Sequence, residues 1–430
     1  MHPHYRLIFI LCLALPAITH AQQAMHDYVQ KNASAITTIS PDSTNYDDLT
    51  AFGNAIGDAR IVMLGEQDHG DATAFQAKTR LVKYLHEKKG FNILAFESDF
   101  GLNIGWGPAP QKPENTDSLI NRYITYVWSL CDACQPLFKQ YIPATQSTPS
   151  PLILAGIDCD MRPGDASSML IKLIDSFSLQ LTTRPDYHSV TLPLLKNWIY
   201  HLKDNDTNTR ILKTLDTIKT QLQALLPPAD PRSQVIDNMV AMDSIFKYQN
   251  IPAKSWVTSN ARDAQMAANI KWLATQHYPH EKIIVWAHNV HVSKYAGHYP
   301  GKDYFNDDHT MGTVLTSDPD MNAQSYIVGF TSAEGSSGWV NRKGPPYTLP
   351  KLSSDGFEHW IPANMDYAFV DFTAFNRSNL PWQENFNLAG GTNSPAWRHK
   401  DIEAPWNKIF DGIFFIRKMM PCNAVNVSPH

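Results

Sequence analysis

Five short runs rich in Ile, Val and Leu constrain this chain more than any other feature. They occupy residues 60–64 (RIVML), 92–96 (NILAF), 152–157 (LILAGI), 283–286 (IIVW) and 325–330 (SYIVGF). Each is too short for a buried helix and ends in polar or turn residues, as a strand covered on both faces does. A weaker pair lies at 367–372 and 412–416. Between the first two runs, residues 72–88 carry a helical pattern, and strand, helix, strand at this spacing is a βαβ unit. The fold expected is α/β, with a central, mostly parallel sheet flanked by helices.

From about 165 to 280 the pattern changes. Ile211, Leu215, Ile218, Leu222 and Leu225 follow a 3.6-residue repeat, as do Met266, Ile270 and Leu273. Pro227, Pro228 and Pro231 break the region between helices. It reads as a helical subdomain, 165–280, inserted between core segments 22–164 and 281–430.

Residues 1–21 read as a secretory signal. Arg6 precedes an apolar run over 7–18, and Thr19-His20-Ala21 places small residues at −3 and −1. The run is short for a bilayer span and no other stretch approaches that length. The mature chain is therefore expected to be exported, periplasmic or secreted, without stable membrane insertion. A net charge of −5 with no basic stripe argues against nucleic acid as a partner. Removal of Cys12 would leave Cys131, Cys134, Cys159 and Cys422 in an oxidising compartment. Cys131 and Cys134 are spaced to close a short disulfide, but their helical setting argues for a structural or reduced pair, and two cysteines do not complete a zinc site.

The chemistry collects where the strands end. RIVML runs into Gly65-Glu66-Gln67-Asp68-His69-Gly70, NILAF into Glu97-Ser98-Asp99, LILAGI into Asp158-Cys159-Asp160 and IIVW into Ala287-His288-Asn289-Val290-His291. Open parallel sheets bind ligands outside the carboxyl ends of their strands. A lone acid there is commonly a cap or turn residue, which is the reading for Asp68, Asp99 and Asp160; Asp158 is the first polar residue after its strand. Glu66, His69, Glu97 and His288 stand apart because four groups converge on one edge. Lys78 shares a helix face with Phe75, Val82 and Leu85, whereas Arg80, Lys83 and Glu87 fall on the outer face. An inward ammonium implies a carboxylate or a substrate oxygen beside it.

Taken in order, Gly65-Glu66-x-x-His69-Gly70, Phe91-Asn92-x-x-Ala95-Phe96-Glu97, Arg262-Asp263-x-x-Met266-x-x-Asn269, Trp286-Ala287-His288-Asn289-x-His291 and Met311-Gly312 resemble the erythromycin esterase family. The resemblance runs from about residue 45 to 417. It implies a deep cleft between the sheet and the helical bundle. It also implies hydrolysis of a cyclic ester by activated water, with no covalent acyl-enzyme. His69 matches the general base, and Glu66, Glu97 and His288 match the other polar residues of the cleft. Lys78, Asp158, Arg262, Asn289 and His291 are the expected substrate-binding residues. Macrolide-active members carry arginine where Lys78 aligns, and lysine lacks the bidentate fork, which bears on the substrate more than on the reaction class.

The residues support the same chemistry unaided. There is neither a Gly-x-Ser-x-Gly elbow nor a cysteine nucleophile beside histidine. A carboxylate-oriented imidazole, His69 held by Glu66 or Glu97, can instead deprotonate water, with His288 and Lys78 as candidates to stabilise the oxyanion. No cofactor is expected. Two alternatives stay open: a metal-dependent hydrolase or peptidase using Glu66, His69, Glu97, Asp158, His288 and His291 on a divalent ion, and a non-catalytic carrier of a bulky ligand.

Overall fold

Every one of the seven apolar runs forms a strand of one sheet. The computed structural model describes residues 23–201, 204–248, 250–251, 255–294, 309–340, 344–378, 385–390 and 399–425; the signal read at 1–21, with Cys12, lies outside them. In chain order the strands are β1 (Ser34–Ile36), β2 (Ile61–Leu64), β3 (Phe91–Asp99), β4 (Ile153–Asp158), β5 (Lys282–Trp286), β6 (Ser325–Ser337), β7 (Tyr347–Thr348), β8 (Tyr367–Asp371), β9 (Phe386–Leu388), β10 (Ile402–Ala404) and β11 (Gly412–Met419). The main sheet runs β1-β8-β11-β6-β2-β5-β3-β4, with β7 paired to the end of β6 and β9–β10 forming a separate ribbon. The six strands from β11 to β4 are mutually parallel, and β8 opposes both its neighbours. This is the α/β architecture expected. Three-residue β1 was not legible because an antiparallel edge strand of that length carries no periodic signal.

The chain leaves β2 toward β3 by passing β5, and leaves β5 toward β6 by passing β2. The connections after these adjacent strands therefore depart in opposite directions, which opens a crevice at their carboxyl ends. Leu64 pairs with Trp286, and Trp286 with Phe96, so Glu66, His288 and Glu97 emerge at one level of the sheet. β3 runs three residues beyond the predicted end. Glu97 lies inside the strand, where the register against β4 shifts between Phe96 and Asp99. Such a bulge re-aims a side chain without ending the ladder. Glycine at 156 permits it, since a Cβ there would overlap the Asp99 carbonyl oxygen.

Helix Ala72–Lys89 packs on β3 and β11. Its inward stripe includes Lys78, but Arg80 is buried too, contrary to its predicted outer position: its guanidinium meets Asp48 at 2.6 Å. Between β4 and β5 come helices Pro163–Ser176, Asn205–Leu225, Val235–Tyr248 and Ser255–Trp272, with no strand among the described residues. Ile211, Leu215, Ile218 and Leu222 are buried, whereas terminal Leu225 is exposed. Among the described residues no helix is long and apolar enough to cross a membrane.

The cysteine pairing differs from the short loop considered above. Cys131 bonds Cys422, with Cα atoms 5.4 Å apart, while Cys134 and Cys159 are buried free thiols. The cause is a local backbone pairing: Asp132 N–H donates to Asn423, and Val425 N–H to Leu130. The segment after β11 thus lies against residues 130–132 and brings Cys422 to Cys131, a contact 291 residues long-range.

Candidate active site

The loop after β2 carries the densest chemistry. Glu66 is wholly buried, and three donors converge on its carboxylate. Oε1 accepts from His69 Nδ1 at 2.8 Å and Trp128 Nε1 at 2.9 Å; Oε2 accepts from Lys78 Nζ at 2.6 Å. Lys78 Nζ also reaches the Ala287 carbonyl and sits 4.3 Å over the Trp286 ring. With Nδ1 committed as a donor to Glu66, the lone pair of neutral His69 is on Nε2. That nitrogen has no hydrogen-bond partner among the described residues. The imidazole is framed by Trp128, His288 and Trp339, at centroid distances of 5.1, 5.3 and 5.5 Å.

The second focus is Glu97. Its Oε2 accepts the His288 backbone N–H at 2.9 Å and its Oε1 accepts from Arg262 at 2.8 Å. Arg262, on helix Ser255–Trp272, spans the gap between the helical insertion and the sheet. Its Nε lies 3.1 Å from both Asp158 oxygens, and one terminal nitrogen lies 3.0 Å from His291 Nε2. His291 Nδ1 in turn meets Asp263 at 2.8 Å. His291 Nε2 also lies 3.3 Å from Glu97 Oε1, and at least one of the two Arg262 N–H groups on the nitrogen facing His291 has no acceptor among the described residues.

His288 is placed differently from the role first considered for it. Its Nε2 donates to the Gln67 carbonyl at 2.8 Å and its Nδ1 accepts from Val290 N–H at 3.1 Å. Both nitrogens are committed, so neither is available to an oxyanion. Lys78 also falls outside the substrate's reach: fully buried behind Glu66, it does not line the cavity. Asn289, expected to bind substrate, instead ties the loop to β6. It donates to Phe330 and Gly390 carbonyls at 2.7 and 2.6 Å and accepts from Phe330 N–H at 3.0 Å. Gly65 is required beneath it, because a Cβ would overlap Asn289 Oδ1.

These groups border a cavity of about 320 Å³ lined by His69, Glu97, Arg262, His288 and His291, with Asp68 and Trp339 on one wall and Ile245, Thr258 and Ser259 of the helical insertion on the other. Asp158 lies behind Arg262 and reaches the cavity through it. Sequence reasoning missed Trp128 and the insertion's wall because they lie on helices, and Trp339 because β6 runs to Ser337, seven residues past its predicted end. Asp263, which the sequence motif contains without indicating a role, holds His291 Nδ1 and the Met311 N–H, each at 2.8 Å.

Burial opposes charge throughout, and the neighbours decide the outcome. Burial disfavours the His69 imidazolium, yet the Glu66 hydrogen bond and the charges of Glu97, Glu66 and Asp68 outweigh it and raise its pKa. Burial pushes the Glu97 carboxyl up, but His291, Arg262, His69 and the His288 N–H hold it well below the usual carboxylate range. Desolvation, then the charges of His69 and His291, press His288 well below its ordinary value, so it is neutral. Burial lowers Lys78 to about 8 against the pull of Glu66. No group of three or more His, Cys, Asp or Glu side chains among the described residues is arranged to hold a metal ion.

The family description "Erythromycin esterase" matches residues 185–419. The chain is 25% identical over 446 residues to a putative hydrolase, YbfO, of Bacillus subtilis (strain 168), covering 96% of each. It is 25% identical over 288 residues to the erythromycin esterase type II of Escherichia coli, covering 60% of this chain and 66% of that protein. A Bacillus cereus protein of known crystal structure superposes with a TM-score of 0.71 at 19% identity, over 94% of this chain and 99% of that one. An erythromycin esterase mutant, EreC in its open conformation, superposes with a TM-score of 0.61 at 16% identity, over 92% and 99%. At such identities the structural likeness shows the fold alone, whereas the family match spans more than half of this sequence. The chain belongs to the erythromycin esterase family and is a hydrolase.

Proposed function

We propose that this chain is an exported hydrolase that cleaves a cyclic or other carboxylic ester with water activated by His69, without a covalent intermediate. One observation carries the reading: Glu66 holds His69 Nδ1 at 2.8 Å, and Nε2 of a ring that borders the cavity is left without a partner among the described residues. A water in the cavity gives its proton to Nε2 as its oxygen attacks the ester carbonyl; Glu66 fixes the tautomer and balances the imidazolium. The tetrahedral oxyanion then needs a donor. Arg262 supports that role better than His288 or Lys78, because it borders the cavity and keeps at least one N–H uncommitted among the described residues. Imidazolium His69 next protonates the departing alkoxide. The Cys131–Cys422 bond and the leader-like residues 1–21 support an oxidising, exported setting.

The test is ring opening of a panel of macrolides and simple lactones, followed by mass spectrometry, with His69→Ala alongside. Hydrolysis is expected with at least one panel member, and the variant should lose roughly 10²–10⁴ of the rate. Full activity in His69→Ala, or an acyl adduct on the intact enzyme, would defeat the mechanism. Activity abolished by a chelator and restored by a divalent ion would favour the metal-dependent alternative.

A further inference from the structure

The His69 loop also anchors a second polar cluster that hydrolysis as described leaves unused. It begins at Asp68, which borders the cavity beside Trp339. Asp68 Oδ1 accepts from Trp339 Nε1 at 2.5 Å and from the His69 backbone N–H at 2.9 Å. Its Oδ2 accepts from the Tyr347 hydroxyl at 2.7 Å. Tyr347 Oη lies 3.1 Å from His399 Nδ1, and His399 Nε2 lies 3.0 Å from Asp71 Oδ2. Asp71 Oδ2 also accepts the Asp68 backbone N–H at 3.0 Å, which closes the circuit on the loop it started from. Asp71 and His399 are fully buried, and His399 holds a left-handed backbone at φ 55°. A non-glycine residue keeps that conformation only where its surroundings over-determine it.

The order of donors explains why the cluster exists. Tyr347 has one hydroxyl proton, and Asp68 receives it; the nearer His399 nitrogen can then bond the tyrosine oxygen only by donating to it. The other nitrogen faces Asp71. His399 thus bridges Tyr347 and Asp71 and ties together two buried acidic side chains of one four-residue loop. Both carboxylates grip backbone N–H groups of that loop, at Asp68 and at His69.

We propose that Tyr347 and His399, supplied by the C-terminal third of the chain, are positioning residues for His69, acting through Asp68 and Asp71. Tyr347 and His399 do not border the cavity; they set where the base stands and how much of the Asp68 charge it feels. This proposal rests on the reading of His69 as the base.

The experiment uses the full chain with Tyr347→Phe, and separately His399→Gln, whose amide keeps one donor for Asp71. The His69 ring is titrated by NMR on protein carrying ring-labelled histidine, with His69→Ala to assign the signal. Removing the Tyr347 proton leaves the Asp68 charge less dispersed, so imidazolium His69 is favoured and its midpoint should rise by about half a pH unit or more. On a lactone the enzyme opens, kcat should fall about tenfold while KM stays within about twofold, and His399→Gln should fall between wild type and Tyr347→Phe. An unmoved midpoint with unchanged kcat, even beside a lowered melting temperature, makes the cluster mere packing and overturns the proposal. If Tyr347→Phe does not fold, His399→Gln decides by the same midpoint. The titration needs no substrate, so failure to open any lactone would count against the hydrolase reading and leave this one still decided by the NMR result.

Discussion

Replacing Lys78 by methionine should weaken the fold, and replacing its partner at the same time should restore most of the loss. The ammonium and the Glu66 carboxylate meet at 2.6 Å with neither exposed. Lys78 is pushed from 10.5 to about 8, so its charged form is disfavoured by roughly 3 kcal/mol in the fold at neutral pH. Methionine removes that penalty but leaves Glu66 buried with only His69 and Trp128 as donors. An uncompensated buried carboxylate is the larger effect, and breaking such a pair costs about 3–5 kcal/mol. For a chain of 430 residues, an unfolding entropy of ~2 cal/mol/K per residue turns about 4 kcal/mol into a melting point about 4–5 °C lower. Glu66→Gln with Lys78→Met leaves two neutral groups of similar volume and should recover most of that drop. The pH dependence supplies an independent sign. A lysine whose folded pKa lies below its unfolded value binds fewer protons when folded, so stability rises from about pH 8 to 10.5 as that penalty fades. That rise should vanish in Lys78→Met. The assay is urea unfolding of wild type, both single variants and the double variant, at neutral pH and near pH 10. A Lys78→Met variant as stable as wild type, or a double variant weaker than the single, would refute the reasoning.

Three further outcomes are expected. The base must be neutral to accept a proton, so the hydrolysis rate should rise with pH through a midpoint above 6.5, the ordinary histidine value; in Glu66→Gln the limb should move down as the rate drops roughly 10²-fold, and an unmoved limb would remove Glu66 as the orienting group. Arg262→Met should lower kcat by about 10²-fold or more, and Arg262→Lys should stay below wild type because it lacks the fork held by Asp158 and Glu97; wild-type kcat in either variant would exclude Arg262 as the oxyanion donor. Cys422→Ser should cost about 2–5 kcal/mol in unfolding, and peptide mapping under non-reducing conditions should recover Cys131 joined to Cys422; a Cys131–Cys134 peptide instead would contradict the fold near the C-terminus.

Local signals carried the α/β core. Burial on both faces leaves apolar runs that need no partner to be recognised, and β2, β4 and β5 lie within a residue of their predicted bounds. The same logic placed Glu66, His69 and His288, since a polar group directly after a buried parallel strand must emerge at its carboxyl edge. Glu97 was found for a slightly wrong reason. β3 continues past it, and only the pairing with β4 shows the bulge that aims its carboxylate. Lys78 was legible as an inward cation, but periodicity does not say whether a substrate or a carboxylate awaits it; Glu66 does.

What the sequence by itself determined is the set of chemical groups on one sheet edge and the strands that deliver them. Hydrophobic period and strand length are properties of ten residues at a time, and both are written locally. Tertiary structure alone decided which groups meet. It assigned Asn289 to β6, committed both His288 nitrogens to backbone, joined Cys131 to Cys422 and carried Tyr347 and His399 to the His69 loop. These contacts link residues from about 40 to more than 300 positions apart, except for the turn within the His288 loop. Their partners are chosen by how the helices and strands pack, and no period in the chain encodes a hydrogen bond of that span.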